Sequence, residues 1–248
     1  MENWLDDLCR AGAFLTRVPI PHAHDAEGFL RAMRAFPLVG AAIGLAAGCL
    51  QLVLLKLALP PLAAAALTLG AGALLTGALH EDGLADVADG FGGGRDKDAK
   101  LAIMRDSRLG SYGTLALLVS FAARAAALAA LPSSAVIAAL VATHALARAV
   151  MPAVALALPF ARDDGLAAGA GQPDPLVVVT ALGLGALIAV VCLPWATALA
   201  AMVLTVVGAA GVAWLAMRQI GGVTGDVLGA TEQVAEAAVL LVLAARLG

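Results

Sequence analysis

Apolar residues run along this chain in seven long blocks, roughly 36–59, 61–79, 112–131, 133–159, 175–193, 195–217 and 227–247. Each block approaches or exceeds the ~20 residues that a helix needs to cross a hydrocarbon core, and the strict two-residue alternation of a membrane barrel is absent. Three pairs of blocks are joined by short uncharged breaks, LPP at 59–61, LPSS at 131–134 and CLPW at 192–195. Proline does not continue an ordinary helix, so these breaks predict hairpin tips. The pattern therefore predicts an all-α fold: one polytopic membrane helix bundle over residues 1–248, with about seven crossings. Residues 1–35 set Trp4, Leu5, Leu8, Phe14 and Leu15 among charged positions and stop at VPIP, which predicts an N-terminal helix in the membrane interface or packed on the bundle. Acids before the first base and the lack of an apolar core segment argue against a cleavable signal.

Composition agrees with this pattern. The chain is 62% hydrophobic and 13% charged, with a mean hydropathy of +0.94, far from an ordinary soluble domain. Of its 15 basic residues, Arg10, Arg17, Arg31, Arg34, Arg95, Lys97, Lys100, Arg105, Arg108, Arg162 and Arg218 fall on the side opposite the hairpin tips. The positive-inside rule makes that side cytoplasmic, so 1–35, 80–111, 160–174 and 218–226 face one compartment. Cys9, Cys49 and Cys192 are isolated, without redox or metal-ligand spacing. Gly40, Gly44 and Gly48 recur every four residues in the first crossing, a signal for close helix packing.

Against this background one stretch is anomalous. HEDGLADVADGFGGGRDKDAK, residues 80–100, holds six of the chain's 18 acids. If it continues the second membrane helix into water, Asp82, Asp86 and Asp89 stand at i, i+4 and i+7 on one narrow face. Like charges at that spacing repel, and a divalent cation converts the repulsion into binding. An all-oxygen donor set favours Mg²⁺, which fills its shell with water and substrate phosphates. The glycines at 90 and 92–94 predict a backbone open to an anion, and Arg95, Lys97, Lys100, Arg105 and Arg108 supply charge for phosphate oxygens. The pattern matches neither a Walker loop nor a dinucleotide fingerprint. The competing reading is a solvated loop whose acids and bases neutralise each other; the shared helical face beside the glycine run favours a site. His80 reads as a helix-end residue, and Glu81, off the shared face, as a candidate base or far-side ligand.

Further polar positions need an account. Thr224 and Asp226 in GGVTGDVLGATEQVAE belong either to a second part of the site or to a helix cap. Glu232 and Glu236, one turn apart in the last crossing, are costly there unless they face a wet cavity or a cation. Arg124, His144 and Arg148 lie inside apolar blocks, and Arg148, far from either end, calls for a substrate phosphate or an acid as partner.

The run HEDGLADVADGFGGG followed by IMRDSRLGSYG resembles the signature of the cobalamin synthase family, membrane enzymes also called adenosylcobinamide-GDP ribazoletransferases. The likeness extends through FLTRVPIP at 14–21, FPLVGAAIG at 36–44, LARAVMPAVALALPFARDDGL at 146–166 and GGVTGDVLGA at 221–230. The resemblance implies a bacterial cytoplasmic-membrane enzyme that uses Mg²⁺. In that family a hydroxyl of α-ribazole, or of its 5′-phosphate, displaces GMP from adenosylcobinamide-GDP. Asp82, Asp86 and Asp89 are then expected to hold Mg²⁺, with Asp106 and Asp226 the next acids for metal or proton. Gly92, Gly93, Gly94, Arg95, Arg105, Ser107, Arg108, Arg148 and Thr224 are expected to meet substrate. The expected partners are these small molecules, membrane lipid, and copies of the chain or other cobalamin-assembly enzymes, with no nucleic acid. DVADG at 86–90 also resembles the start of the CDP-alcohol phosphotransferase motif, whose further acids are not matched. An ion-coupled transporter is the rival from another class, but transporters bind near the midplane at broken helices.

Overall fold

The computed structural model describes residues 4–22, 25–162 and 171–248. Among them the backbone is helical apart from connections and one isolated parallel bridge, Phe160 with Val223. The helices are α1 (Trp4–Leu15), α2 (Ala26–Ala32), α3 (Phe36–Lys56), α4 (Pro61–Thr76), α5 (Leu79–Gly93), α6 (Lys97–Ile103), α7 (Ser111–Ala130), α8 (Val136–Ala149), α9 (Met151–Ala157), α10 (Pro175–Cys192), α11 (Trp195–Ile220) and α12 (Gly225–Leu247). Six spans are long and apolar enough to cross a membrane: Ala26–Lys56, Ser111–Ala130, Val136–Ala157, Pro175–Cys192, Trp195–Ile220 and Gly225–Leu247. The α4–α5 pair passes the same test only jointly.

Proline and aspartate set several boundaries as the sequence predicts. Pro60 and Pro61 open α4, Pro194 opens α11, and Asp174 caps α10 by accepting from the Leu176 N–H at 2.7 Å. Leu131, Val136, Leu193, Ala198 and Leu243 meet in one apolar cluster, which places two of the predicted hairpin tips, 131–134 and 192–195, at a common end. A second cluster at the opposite end joins Val87, Met104, Leu158, Ile220 and Val227.

Two spans are central. The span through α8 and α9 is 78% buried and α12 is 61% buried, against 22–28% for the other four. Polar side chains can therefore sit within the bundle on α8 and α12 without meeting lipid. The α3 glycines make one of these contacts close. A Cβ at Gly40 or Gly44 would run into the carbonyl oxygens of His144 or Leu140, and one at Gly48 would lie 2.9 Å from the Ile137 Cα.

The second apolar block departs from expectation. It does not run on into the acidic stretch: Gly77 (φ 69°) and Ala78 (φ 55°) both take the left-handed conformation, and α5 leaves α4 at 93°. Gly77 adopts that geometry freely; Ala78 does so at a steric cost. With five ionisable side chains in 15 residues, His80, Glu81, Asp82, Asp86 and Asp89, α5 is not among the six single-helix spans.

The N-terminal helix is packed on the bundle. Phe14 stacks on Phe36 and meets Phe29 edge-on, while buried Asp7 accepts from Arg31 at 2.9 Å and Arg34 at 2.7 Å. Trp4 and Leu5 stay exposed. The Arg17 N–H donates to the Leu75 carbonyl at 2.7 Å, which brings this N-terminal strap to the α4–α5 break.

Candidate active site

The carboxylate row survives the bend because α5 is itself one unbroken helix. Its Gly83 lies directly on the start of α12, where an added Cβ would stand 2.8 Å from the Asp226 carbonyl oxygen and 3.1 Å from the Gly229 Cα. That contact brings Asp226 up to the row: Asp82 and Asp226 both act electrostatically on Asp86, and Asp82 on Asp226. Thr224, not Asp226, caps α12, its hydroxyl oxygen accepting from the Val227 N–H at 3.3 Å. The same hydroxyl donates to Asp226 Oδ2 at 3.2 Å. Partial burial and the charges of Asp82, Asp226 and Asp89 push Asp86 up to about 7.

Asp89 has another job. Its Oδ2 accepts from the Gly110 N–H at 2.7 Å and its Oδ1 from the Gly113 N–H at 2.9 Å. The carboxylate thus satisfies the otherwise unpaired amides that open α7. Buried and committed at both oxygens, it differs from exposed Asp82 and half-buried Asp86. Asp89 is thus engaged in the α7 cap, whereas Asp82 and Asp86 of α5 lie near enough to Asp226 of α12 for their charges to interact.

The glycine run is not an open anion cradle. It is the last turn of α5, with the Gly94 N–H bonded to the Gly90 carbonyl at 3.0 Å. Its glycines admit close neighbours: an added Cβ would meet the Tyr112 ring at Gly92 and the Met104 side chain at Gly90. Gly93 is exposed, as are Arg95, Arg105 and Ser107. Exposed Arg108 pairs with Asp106 at 2.5 Å, and that guanidinium holds Asp106 down to about 2. Asp106 therefore sits in a local pair in the α6–α7 connection, apart from the α5 row. Lys100 donates to Gln219 at 2.5 Å and ties α6 to the end of α11.

Arg148 has the acid partner that its depth in the bundle called for. Its side chain, 2% exposed, reaches Glu232 at 2.6 Å and His144 Nδ1 at 3.0 Å. Arg124 meets Glu236 at 2.9 Å and Glu81 at 3.7 Å. The buried acids of α12 thus have the cations their position requires, Arg148 for Glu232 and Arg124 for Glu236. His80 joins this core beside Glu232. His144, Glu232 and Glu236 bring ligand atoms within 4.8 Å of one another, but the two guanidiniums already occupy these carboxylates.

One charged residue escaped the sequence reading. Arg162 Nη2 lies 3.5 Å from Asp226 Oδ2, facing the acid cluster. Its position follows from the parallel bridge, in which the Ala161 N–H donates to the Val223 carbonyl at 3.0 Å and the Val223 N–H to the Pro159 carbonyl at 2.8 Å. The only sequence signal was a basic residue just past the proline that ends a crossing. The rest of that loop motif, 163–166, lies outside the described residues.

Carboxylate oxygens, two residues one helical turn apart on α5 and the third at the facing start of α12, are the donor type a hard divalent cation takes, but among the described residues the one group whose ligand atoms lie within 4.8 Å of one another is His144, Glu232 and Glu236.

Fold and site together define a polytopic helical membrane protein with a cluster of acids at one end of its bundle. Residues 7–244 match the cobalamin-5-phosphate synthase family, and the chain belongs to it. It is 45% identical to an adenosylcobinamide-GDP ribazoletransferase of Sinorhizobium sp, covering 98% of this chain and 97% of that protein. A protein of the same name from Bradyrhizobium diazoefficiens is 45% identical, over 99% and 95% respectively. The one from Brucella ovis is 44% identical, over 96% and 95%. No solved structure matches the chain.

Proposed function

We propose that this protein joins α-ribazole, or its 5′-phosphate, to adenosylcobinamide-GDP and releases GMP, completing the nucleotide loop of a cobalamin. Near-full-length similarity to ribazoletransferases supports the substrates. The observation that carries the chemistry is the convergence of Asp82 and Asp86 with Asp226 beside Arg162. A Mg²⁺ ion held there would supply Lewis-acid chemistry for the displacement at phosphorus. Asp82, Asp86 and Asp226 would hold it. The proton of the attacking ribazole hydroxyl would then pass to a carboxylate of this row that the metal leaves free. Asp89 keeps the start of α7 against α5 and so fixes the row. The basic residues crowded at this end support a site on the cytoplasmic side of the bacterial cytoplasmic membrane.

The test is to incubate the purified full-length protein with adenosylcobinamide-GDP, α-ribazole and Mg²⁺, then assay GMP and the joined cobalamin. EDTA should abolish both products, and Asp86→Asn should lower turnover by about 10²–10⁴-fold. Near-normal GMP release by folded Asp82→Asn, Asp86→Asn and Asp226→Asn variants would sink the metal assignment. Absence of product with the wild-type chain would sink the activity.

A further inference from the structure

Arg162 is a poorly used ion-pair partner. Its one contact with Asp226 is a single long approach of 3.5 Å, and its Nη1 is buried with no hydrogen-bond partner. An arginine kept only to neutralise an aspartate gains most from a short bidentate fork, as Arg108 makes with Asp106. The backbone beneath Arg162 is nevertheless held firmly. Gly222 lies so close to the 159–161 segment that an added Cβ would strike the Pro159 carbonyl and stand 2.8 Å from the Ala161 nitrogen. A firmly placed guanidinium with an unsatisfied N–H, its side chain 22% exposed, is open to an incoming anion. The start of α12, with Thr224 and the positive end of the helix dipole, borders the same spot.

We propose that Arg162 binds the phosphate oxygens of the nucleotide-activated substrate, taking them as a planar fork in place of its loose contact with Asp226. In the ligand-free protein Asp226 keeps the guanidinium beside the carboxylate row. When the acids turn to a divalent ion, Arg162 is released toward the anionic substrate. The charge that balances the empty site thus becomes the charge that recognises the phosphate. This assignment rests on the ribazoletransferase reading above and adds to it a residue that phosphate recognition needs.

The experiment compares wild-type, Arg162→Gln and Arg162→Lys full-length proteins in the same detergent. Binding of adenosylcobinamide-GDP is measured by equilibrium dialysis, without the ribazole acceptor so that nothing turns over, once with Mg²⁺ and once with EDTA. Loss of a charge-assisted hydrogen bond predicts that Arg162→Gln binds about tenfold to a hundredfold more weakly with Mg²⁺, and by less with EDTA, where Asp226 still holds the wild-type guanidinium, with Lys recovering part of the loss. Binding by Arg162→Gln at wild-type strength, with an unchanged melting temperature, overturns the assignment. Should Arg162→Gln melt early, Arg162→Lys decides: weakening of about threefold or more supports the planar fork, and wild-type affinity overturns it. If the wild-type protein neither binds the compound nor releases GMP in the full reaction, the functional reading fails and this inference with it. If only the variants behave as wild type, the inference fails alone.

Discussion

Removing Arg148 tests whether it belongs to the bundle or to the substrate. It lies 2.6 Å from Glu232, and the two side chains are 2% and 0% exposed. Arg148→Met leaves the Glu232 carboxylate buried, with Glu236 close by and no guanidinium of its own. Stranding one member of a buried pair costs about 3–5 kcal/mol, which for a chain of this size lowers the melting temperature by roughly 10 °C. Replacing both partners, Arg148→Met with Glu232→Leu, removes the stranded charge and fills the space with apolar volume. The double variant should therefore melt well above Arg148→Met, with a coupling of about 2 kcal/mol or more across the cycle. The assay is thermal unfolding in detergent, followed by GMP release from each folded variant. A double variant that melts no higher than Arg148→Met refutes the ion-pair reasoning. One that melts normally but releases no GMP shows that Arg148 works on substrate after all.

Three further outcomes follow from the site. Proton competition at Asp86, which titrates at about 7, should raise the Mg²⁺ concentration for half-maximal activity about tenfold from pH 8 to pH 6. The sign is fixed because the carboxyl must lose its proton to bind metal, so a half-saturation independent of pH contradicts it. Gly83→Ala places a Cβ 2.8 Å from the Asp226 carbonyl and forces the α5–α12 seam apart. It should cost about 1–3 kcal/mol in unfolding and lower kcat on the order of tenfold or more by separating the acids; a kcat within twofold of wild type counts against the seam as the site's frame. Asp89→Ala should destabilise the protein by about 1–2 kcal/mol through the lost α7 cap, with Asp89→Asn recovering part; equal melting of all three proteins would remove Asp89 from that role.

Much of this was legible from local chemistry. Prolines at 60, 132 and 194 mark hairpin tips, and Gly40, Gly44 and Gly48 mark a close helix contact. Glu232 and Glu236 announced a need for cations, which Arg124 and Arg148 meet. What stayed hidden depends on contacts between distant segments. Nothing polar marks Gly77–Ala78 as a break, because an alanine-rich run reads as helix up to the point where tertiary packing turns it. The Gly92–Gly94 run suggests a loop by propensity, yet Tyr112 and Met104 reward a helix without side chains there. Asp89 has the right spacing for a ligand, and only the arrival of Gly110 and Gly113 makes it a cap. Arg162 gained meaning once the Phe160–Val223 bridge set it opposite Asp226.

The two amide bonds accepted by Asp89 have a consequence for the segment they enclose. Gly110 lies 21 residues beyond Asp89 in sequence, so one carboxylate staples the two ends of residues 90–109 into a closed loop. The ends no longer depend on what lies between them. Doubling the length of such a loop costs only about 0.6 kcal/mol in closure entropy. The stretch carrying α6 and the exposed arginines is therefore a region where insertions can be accepted and surface charge retuned while the acids beneath keep their places.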